Sequence, residues 1–145
     1  MKKFLFILVG FVALSATNVK GQVTDFESTS GFTSDTVTNA GTTYLESVLL
    51  TRSAATTTTV LVNVTKISGT VGGTITLQGS LDGTNFVAIN QIDTTSALGT
   101  FTAADASARY HWIISGSPFL YYRVSWTGTG TMAASFSVKL FRGRD

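Results

Sequence analysis

Apolar and polar residues alternate with a period of two along most of the chain, and the clearest run is the last one. Met132, Ala134, Phe136, Val138 and Leu140 fall on one side, with Ala133, Ser135, Ser137 and Lys139 on the other, which predicts a strand with one buried face. Val60, Val62 and Val64 alternate with Leu61, Asn63 and Thr65 in the same way, in β-branched residues that suit a pleated surface. Over 74–81, Ile75, Leu77 and Leu81 are expected on one face and Thr74, Thr76, Gln78 and Ser80 on the other. The return strand is expected over 85–92, so that 79–86 forms a hairpin tip in which Asp82 and Gly83 supply the turn chemistry. The stretch 44–51 is denser in Tyr, Leu and Val and predicts a strand buried on both faces or lying at a sheet corner. Late in the chain, Tyr110, Trp112 and Ile114 alternate with Arg109, His111 and Ile113. Leu120, Tyr122, Val124 and Trp126 then alternate with Phe119, Tyr121, Arg123 and Ser125.

Glycine clusters at 69, 72–73, 116 and 128–130 punctuate these runs, and Pro118 stands at a strand entry, where its missing donor is tolerated. Between them, 94–108 reads as a connection with a short strand at 98–102 and a single helical turn at 103–108. No stretch shows a sustained helical period. The pattern predicts an all-β protein, an antiparallel β-sandwich of jelly-roll-like form with about seven to eight strands.

Ahead of that sandwich, Met1-Lys2-Lys3, an apolar run over 4–14 and a polar, small-residue stretch have the three parts of a secretory signal peptide, with cleavage expected after Gly21 and, as second choice, after Ala16. The apolar run is too short to span a bilayer, so a membrane is a partner only through an uncleaved signal segment. Residues 22–43 are Thr, Ser, Gly, Asn and Asp with isolated apolar residues. They are expected to form an extended arm, with Phe26 and Phe32 as anchors on a neighbouring subunit. The domain reading is thus signal peptide 1–21, arm 22–43 and sandwich 44–145, and the location secreted or cell-surface.

Charge narrows the function classes. The formal charge of the chain is +2, but Lys2, Lys3 and Lys20 belong to the signal. Beyond residue 21 the chain carries Arg52, Lys66, Arg109, Arg123, Lys139, Arg142 and Arg144 against eight acidic residues, so no basic footprint for nucleic acid remains. Arg142 and Arg144 read as a solvated tail. With no Cys and one His, neither disulfides nor the ordinary zinc and iron sites are expected, and no cofactor is implied. His111 lies inside a strand, and no nucleophile elbow accompanies it, so no catalytic residue is assigned. Asp82 and Asn85 do not have the spacing of a calcium loop and are explained by turn chemistry.

The aromatic strands carry the remaining candidates. If Leu120, Tyr122, Val124 and Trp126 face the core, then Phe119, Tyr121 and Arg123, with His111 on the preceding strand, form an outer patch suited to a sugar or a subunit contact. Together with the arm, that patch favours a non-catalytic structural or assembly module that forms a homo-oligomer or a surface assembly. The alternative is a carbohydrate-binding or adhesin module with a glycan as partner.

Two motifs carry a family likeness. The run Thr74-Ile75-Thr76-Leu77-Gln78-Gly79-Ser80-Leu81-Asp82-Gly83-Thr84-Asn85-Phe86, then Phe119-Leu120-Tyr121-Tyr122-Arg123-Val124 and a closing apolar strand, resembles small β-sandwich domains of tailed-phage virion proteins. That resemblance implies a non-enzymatic role on a virion, as capsid decoration, tail component or adhesion module. A Ser-x-Asp-Gly turn followed by an aromatic is also similar to discoidin-like and galactose-binding-like sandwiches, although this chain has no Trp after the turn and no Cys pair.

Overall fold

The computed structural model describes residues 22–28, 33–50, 57–89, 99–116 and 118–143. Among them stand ten strands and no helix: β1 (Gln22–Asp25), β2 (Ser34–Thr38), β3 (Thr42–Glu46), β4 (Thr57–Gly69), β5 (Gly73–Ser80), β6 (Val87–Ala88), β7 (Thr100–Thr102), β8 (Ala108–Ser115), β9 (Tyr121–Gly128) and β10 (Met132–Gly143). They form two antiparallel sheets packed as a sandwich. Sheet I runs β1-β10-β4-β8, with β2 also on β10; sheet II runs β3-β9-β5-β6, with β7 also on β5. The chain changes sheets between β8 and β9 and again between β9 and β10, so the outer faces of successive strands look in opposite directions.

The alternation read from the sequence matches the burial. Val60, Val62, Val64, Trp112, Ile114, Ala134, Phe136, Val138 and Leu140 turn inward from sheet I, and Leu45, Ile75, Leu77, Tyr122, Val124 and Trp126 from sheet II. Trp126 meets Phe136 edge-on across the sandwich, with centroids 5.6 Å apart, and its indole N–H donates to the Gly72 carbonyl at 3.2 Å. At the margin, Phe101 of β7 stacks on Tyr110 and Trp112 of β8, at 5.3 and 4.9 Å, which ties the edge of sheet II to that of sheet I.

The expected arm is part of the sandwich instead. β10 has 12 residues, long enough for two strands to lie end to end along one edge: β1 pairs with residues 139–142 and β2 with residues 133–137. Phe26 is fully buried in the core of its own chain, and its N–H donates to the Val138 carbonyl at 3.0 Å. It is therefore not available to anchor a neighbour. Phe32 and the signal segment 1–21 lie outside the described residues.

Other expectations also change. In 44–50, Leu45 and Leu50 are buried but Tyr44, Val48 and Leu49 are 43 %, 55 % and 57 % exposed, so β3 has an ordinary solvated face. Leu81 leaves the strand alternation and is exposed, because the ladder ends at Ser80. The return strand is only Val87–Ala88, and residues 103–107 hold bends at 105–107 and no helical turn. Arg142 is no tail residue: it lies on the inner side of β10 in register with Thr58, and is buried.

Candidate functional site

The outer face of sheet II is built from strand register. Glu46, Arg123, Gln78 and Ala88 form one cross-strand row over β3, β9, β5 and β6. Tyr44, Ser125, Thr76 and Thr100 form the next row, and beyond it Thr42, Thr127, Thr74 and Thr102 make a row of threonines alone. On the other side of Arg123, Tyr121 lies opposite Ser80, where the 81–86 loop begins.

Arg123 is the centre of this surface. Its Nε–H donates to Gln78 Oε1 at 2.8 Å, and Nη1 lies 3.5 Å from Glu46 Oε1. β3 brings the Tyr44 ring to 4.7 Å from the guanidinium carbon, and the loop on the far side of β5 brings the Phe86 ring to 4.0 Å. These contacts hold the guanidinium on aromatic surface, a cation–π arrangement that Arg favours over Lys. A guanidinium has five N–H donors, so donors remain beyond those given to Gln78 and Glu46 among the described residues. Glu27 pairs with Glu46 in an isolated bridge, which places a second acidic residue beside the row.

The loop that delivers Phe86 is closed on one carboxylate. Asp82 Oδ1 accepts from the Ser80 hydroxyl and from the N–H groups of Thr84 and Asn85, each at 2.8 Å, and Oδ2 accepts from the Asn85 amide at 2.7 Å. Gly83 supplies a positive φ of 75°. A Cβ there would sit 3.2–3.3 Å from the Tyr121 ring, so that ring lies directly over the loop. Both oxygens of Asp82 thus face donors, which is the reverse of what a cation needs. Among the described residues no group of three or more His, Cys, Asp or Glu is placed to hold a metal. Under the loop lies a small cleft of about 280 Å³, lined by Gly79, Asp82, Val87 and Phe119.

Of the four residues expected to share a patch, two do. Arg123 and Tyr121 lie on the outer face of sheet II. Phe119 turns inward, its ring filling the space beside Gly79, where a Cβ would come within 2.4 Å, and meeting Tyr122 edge-on at 6.0 Å. His111 belongs to β8 in sheet I and pairs with Leu61, on the opposite side of the molecule from Arg123. Its imidazole makes no hydrogen bond among the described residues. The sequence reading missed Tyr44, Glu46, Gln78 and Phe86. A signal was present for Tyr44 and Glu46, because they flank the buried Leu45 in simple alternation; Phe86 carried none, since its place depends on the loop.

The Asp82 carboxyl is held far below the usual carboxylate range, first by the N–H groups of Asn85 and then by Thr84 and Ser80. Asp105 is also lowered, by the Lys66 ammonium at 2.6 Å and then by the Val71 N–H at 2.7 Å. A carboxyl with a folded pKa below its unfolded one binds fewer protons when folded. Its stabilisation is complete above about pH 4 and is lost as pH falls further. Thermal melts from pH 7 to pH 2 are expected to fall more steeply for the wild type than for an Asp82→Asn/Asp105→Asn variant, with the two curves converging in acid. Parallel curves would show that neither carboxyl is linked to folding.

No family model matches the chain, and no curated protein matches it. Solved structures do. One is a CBM4 carbohydrate-binding module, with a TM-score of 0.47 and 12 % identity, covering 85 % of this chain and 78 % of that one. Another is the CBM22-1–GH10 part of xylanase 10B from Clostridium thermocellum in complex with xylohexaose, with a TM-score of 0.44 and 17 % identity, covering 88 % of this chain and 25 % of that one. The chain therefore spans about a quarter of the length of the second structure. The two antiparallel sheets of this chain bear out the β-sandwich that the resemblance to tailed-phage virion domains implied.

Proposed function

We propose that the protein is a non-catalytic glycan-binding module of an exported protein, and that the outer face of sheet II is its binding surface. The observation that carries this reading is Arg123 held 4.7 Å from the Tyr44 ring centre and 4.0 Å from that of Phe86 on the outer sheet face, with N–H donors still to give. Pyranose rings need this combination: an apolar ring surface to stack on, and fixed donors and acceptors for adjacent hydroxyls. Gln78 and Glu46 supply acceptors beside the donors. Glu27, Glu46 and the strongly acidic Asp82 outnumber Arg123 around the face, which favours an uncharged chain over a polyuronate or a sulfated glycan. The signal-like residues 1–21 support a location outside the cytoplasm. The self-assembly reading has lost one of its two expected anchors, since Phe26 packs inside its own core.

Affinity electrophoresis tests the proposal, with xylan, mixed-linkage β-glucan and galactomannan run beside polygalacturonate. At least one uncharged polysaccharide is expected to retard the wild type. Arg123→Ala should weaken that binding about 30-fold, the effect of a hot-spot residue worth about 2 kcal/mol. His111→Ala, on the other sheet, should bind as the wild type does. No retardation by any polysaccharide, or equal loss from both substitutions, would overturn the assignment.

A further inference from the structure

Phe86 makes the shortest aromatic contact to Arg123, yet no ladder holds it. It lies outside β6, which is two residues long and pairs only with Gln78 and Gly79. What fixes Phe86 is the hydrogen bonding immediately before it. Asp82 reaches Asn85 twice, through the backbone N–H at 2.8 Å and the side-chain amide at 2.7 Å, so the residue preceding Phe86 is held at two points. At the loop's other end, the Ser80 hydroxyl, itself buried, accepts from the N–H groups of Asp82 and Gly83 at 3.2 and 3.0 Å and donates to Asp82. Gly83, so placed, lies beneath the Tyr121 ring. One carboxylate therefore connects the seats of two aromatic side chains on the same face.

We propose that Asp82 is a positioning residue for this face: without touching a ligand, it closes the 81–86 loop into a rigid lip that seats Phe86 on Arg123 and supports Tyr121. The proposal deepens the glycan-binding reading and rests on it for its functional consequence. Its structural half stands apart, because the aromatic seat exists whether or not a sugar is bound. An alanine at position 82 leaves the loop donors to water and frees the backbone ahead of Phe86. An asparagine keeps one oxygen for the Thr84 and Asn85 N–H groups and loses the acceptor for the Asn85 amide.

Two readouts on the full chain decide the matter. In NMR spectra, the Arg123 Nε–H signal is expected to be displaced by the ring currents of Tyr44 and Phe86. In both Asp82→Ala and Phe86→Ala it is expected to move toward the free-arginine position, while the amide signals of β4 and β10 keep their folded dispersion. Asp82→Asn should recover most of the displacement. In affinity electrophoresis with whichever uncharged polysaccharide retards the wild type, Asp82→Ala and Phe86→Ala should each weaken binding about 10-fold, and the double variant no further, as residues acting through one element do. An Arg123 signal unmoved in Asp82→Ala, or losses that add in the double variant, would overturn the role given to Asp82. A wild type that no polysaccharide retards would overturn glycan binding instead, and the NMR comparison would still decide whether Asp82 seats Phe86.

Discussion

Trp126→Ala is expected to lower the unfolding free energy by about 3–5 kcal/mol, the range for removing a large aromatic from a packed core. The side chain is fully buried at the centre of β9, where it meets Phe136 edge-on from the opposite sheet. Its loss opens a cavity between the sheets and removes the indole donor from the Gly72 carbonyl. A domain of this size is stable by about 5–15 kcal/mol, so one substitution removes about a fifth or more of the total. Urea unfolding at equilibrium would measure it, with Ser125→Ala, one residue away on the solvated face, as the near-neutral comparison. A loss below about 1.5 kcal/mol, half the low end of that range, would mean that Trp126 does not bridge the sheets.

Gly73→Ala should be nearly as damaging for a different reason. Gly73 opens β5 with a φ of 106°, and a Cβ on it would lie 2.0 Å from the Thr127 carbonyl oxygen of β9. Backbone, unlike the end of a side chain, cannot swing aside. β5 must then separate from β9 at this end while the residue also adopts a conformation that L side chains resist, each effect costing about 1–3 kcal/mol. Far-UV circular dichroism through a thermal melt is expected to show a midpoint lower by about 8 °C or more for a domain of this size. An unchanged midpoint would place the β5 turn elsewhere.

The strands were legible wherever one face is solvated, because alternation is then written into neighbouring residues. Phe136 against Ser135, or Val62 against Asn63, needs no knowledge of the rest of the chain. Sheet membership was not legible. His111 and Arg123 look alike in sequence, both polar between apolar neighbours, yet the crossover between β8 and β9 puts them on opposite sides of the molecule. The same limit hid the site. Tyr44, Gln78, Phe86 and Arg123 come from four separate stretches and meet only through the β3-β9-β5-β6 order. Phe26 failed as an arm anchor for a related reason: its sparse apolar surroundings give no hint that a 12-residue strand far along the chain has an edge to spare.

The tandem seating of β1 and β2 on β10 also sets an order of events during biosynthesis. β10 is the partner of β1, β2 and β4, so most of sheet I cannot close until residues 132–143 have been made. The early strands wait with their edges unpaired, and folding of this kind, dominated by pairings between distant segments, is slow. If the chain is exported, as proposed above, that delay would keep it threadable until β10 arrives. In such an exported chain, release of that strand would close the sheet only after translocation.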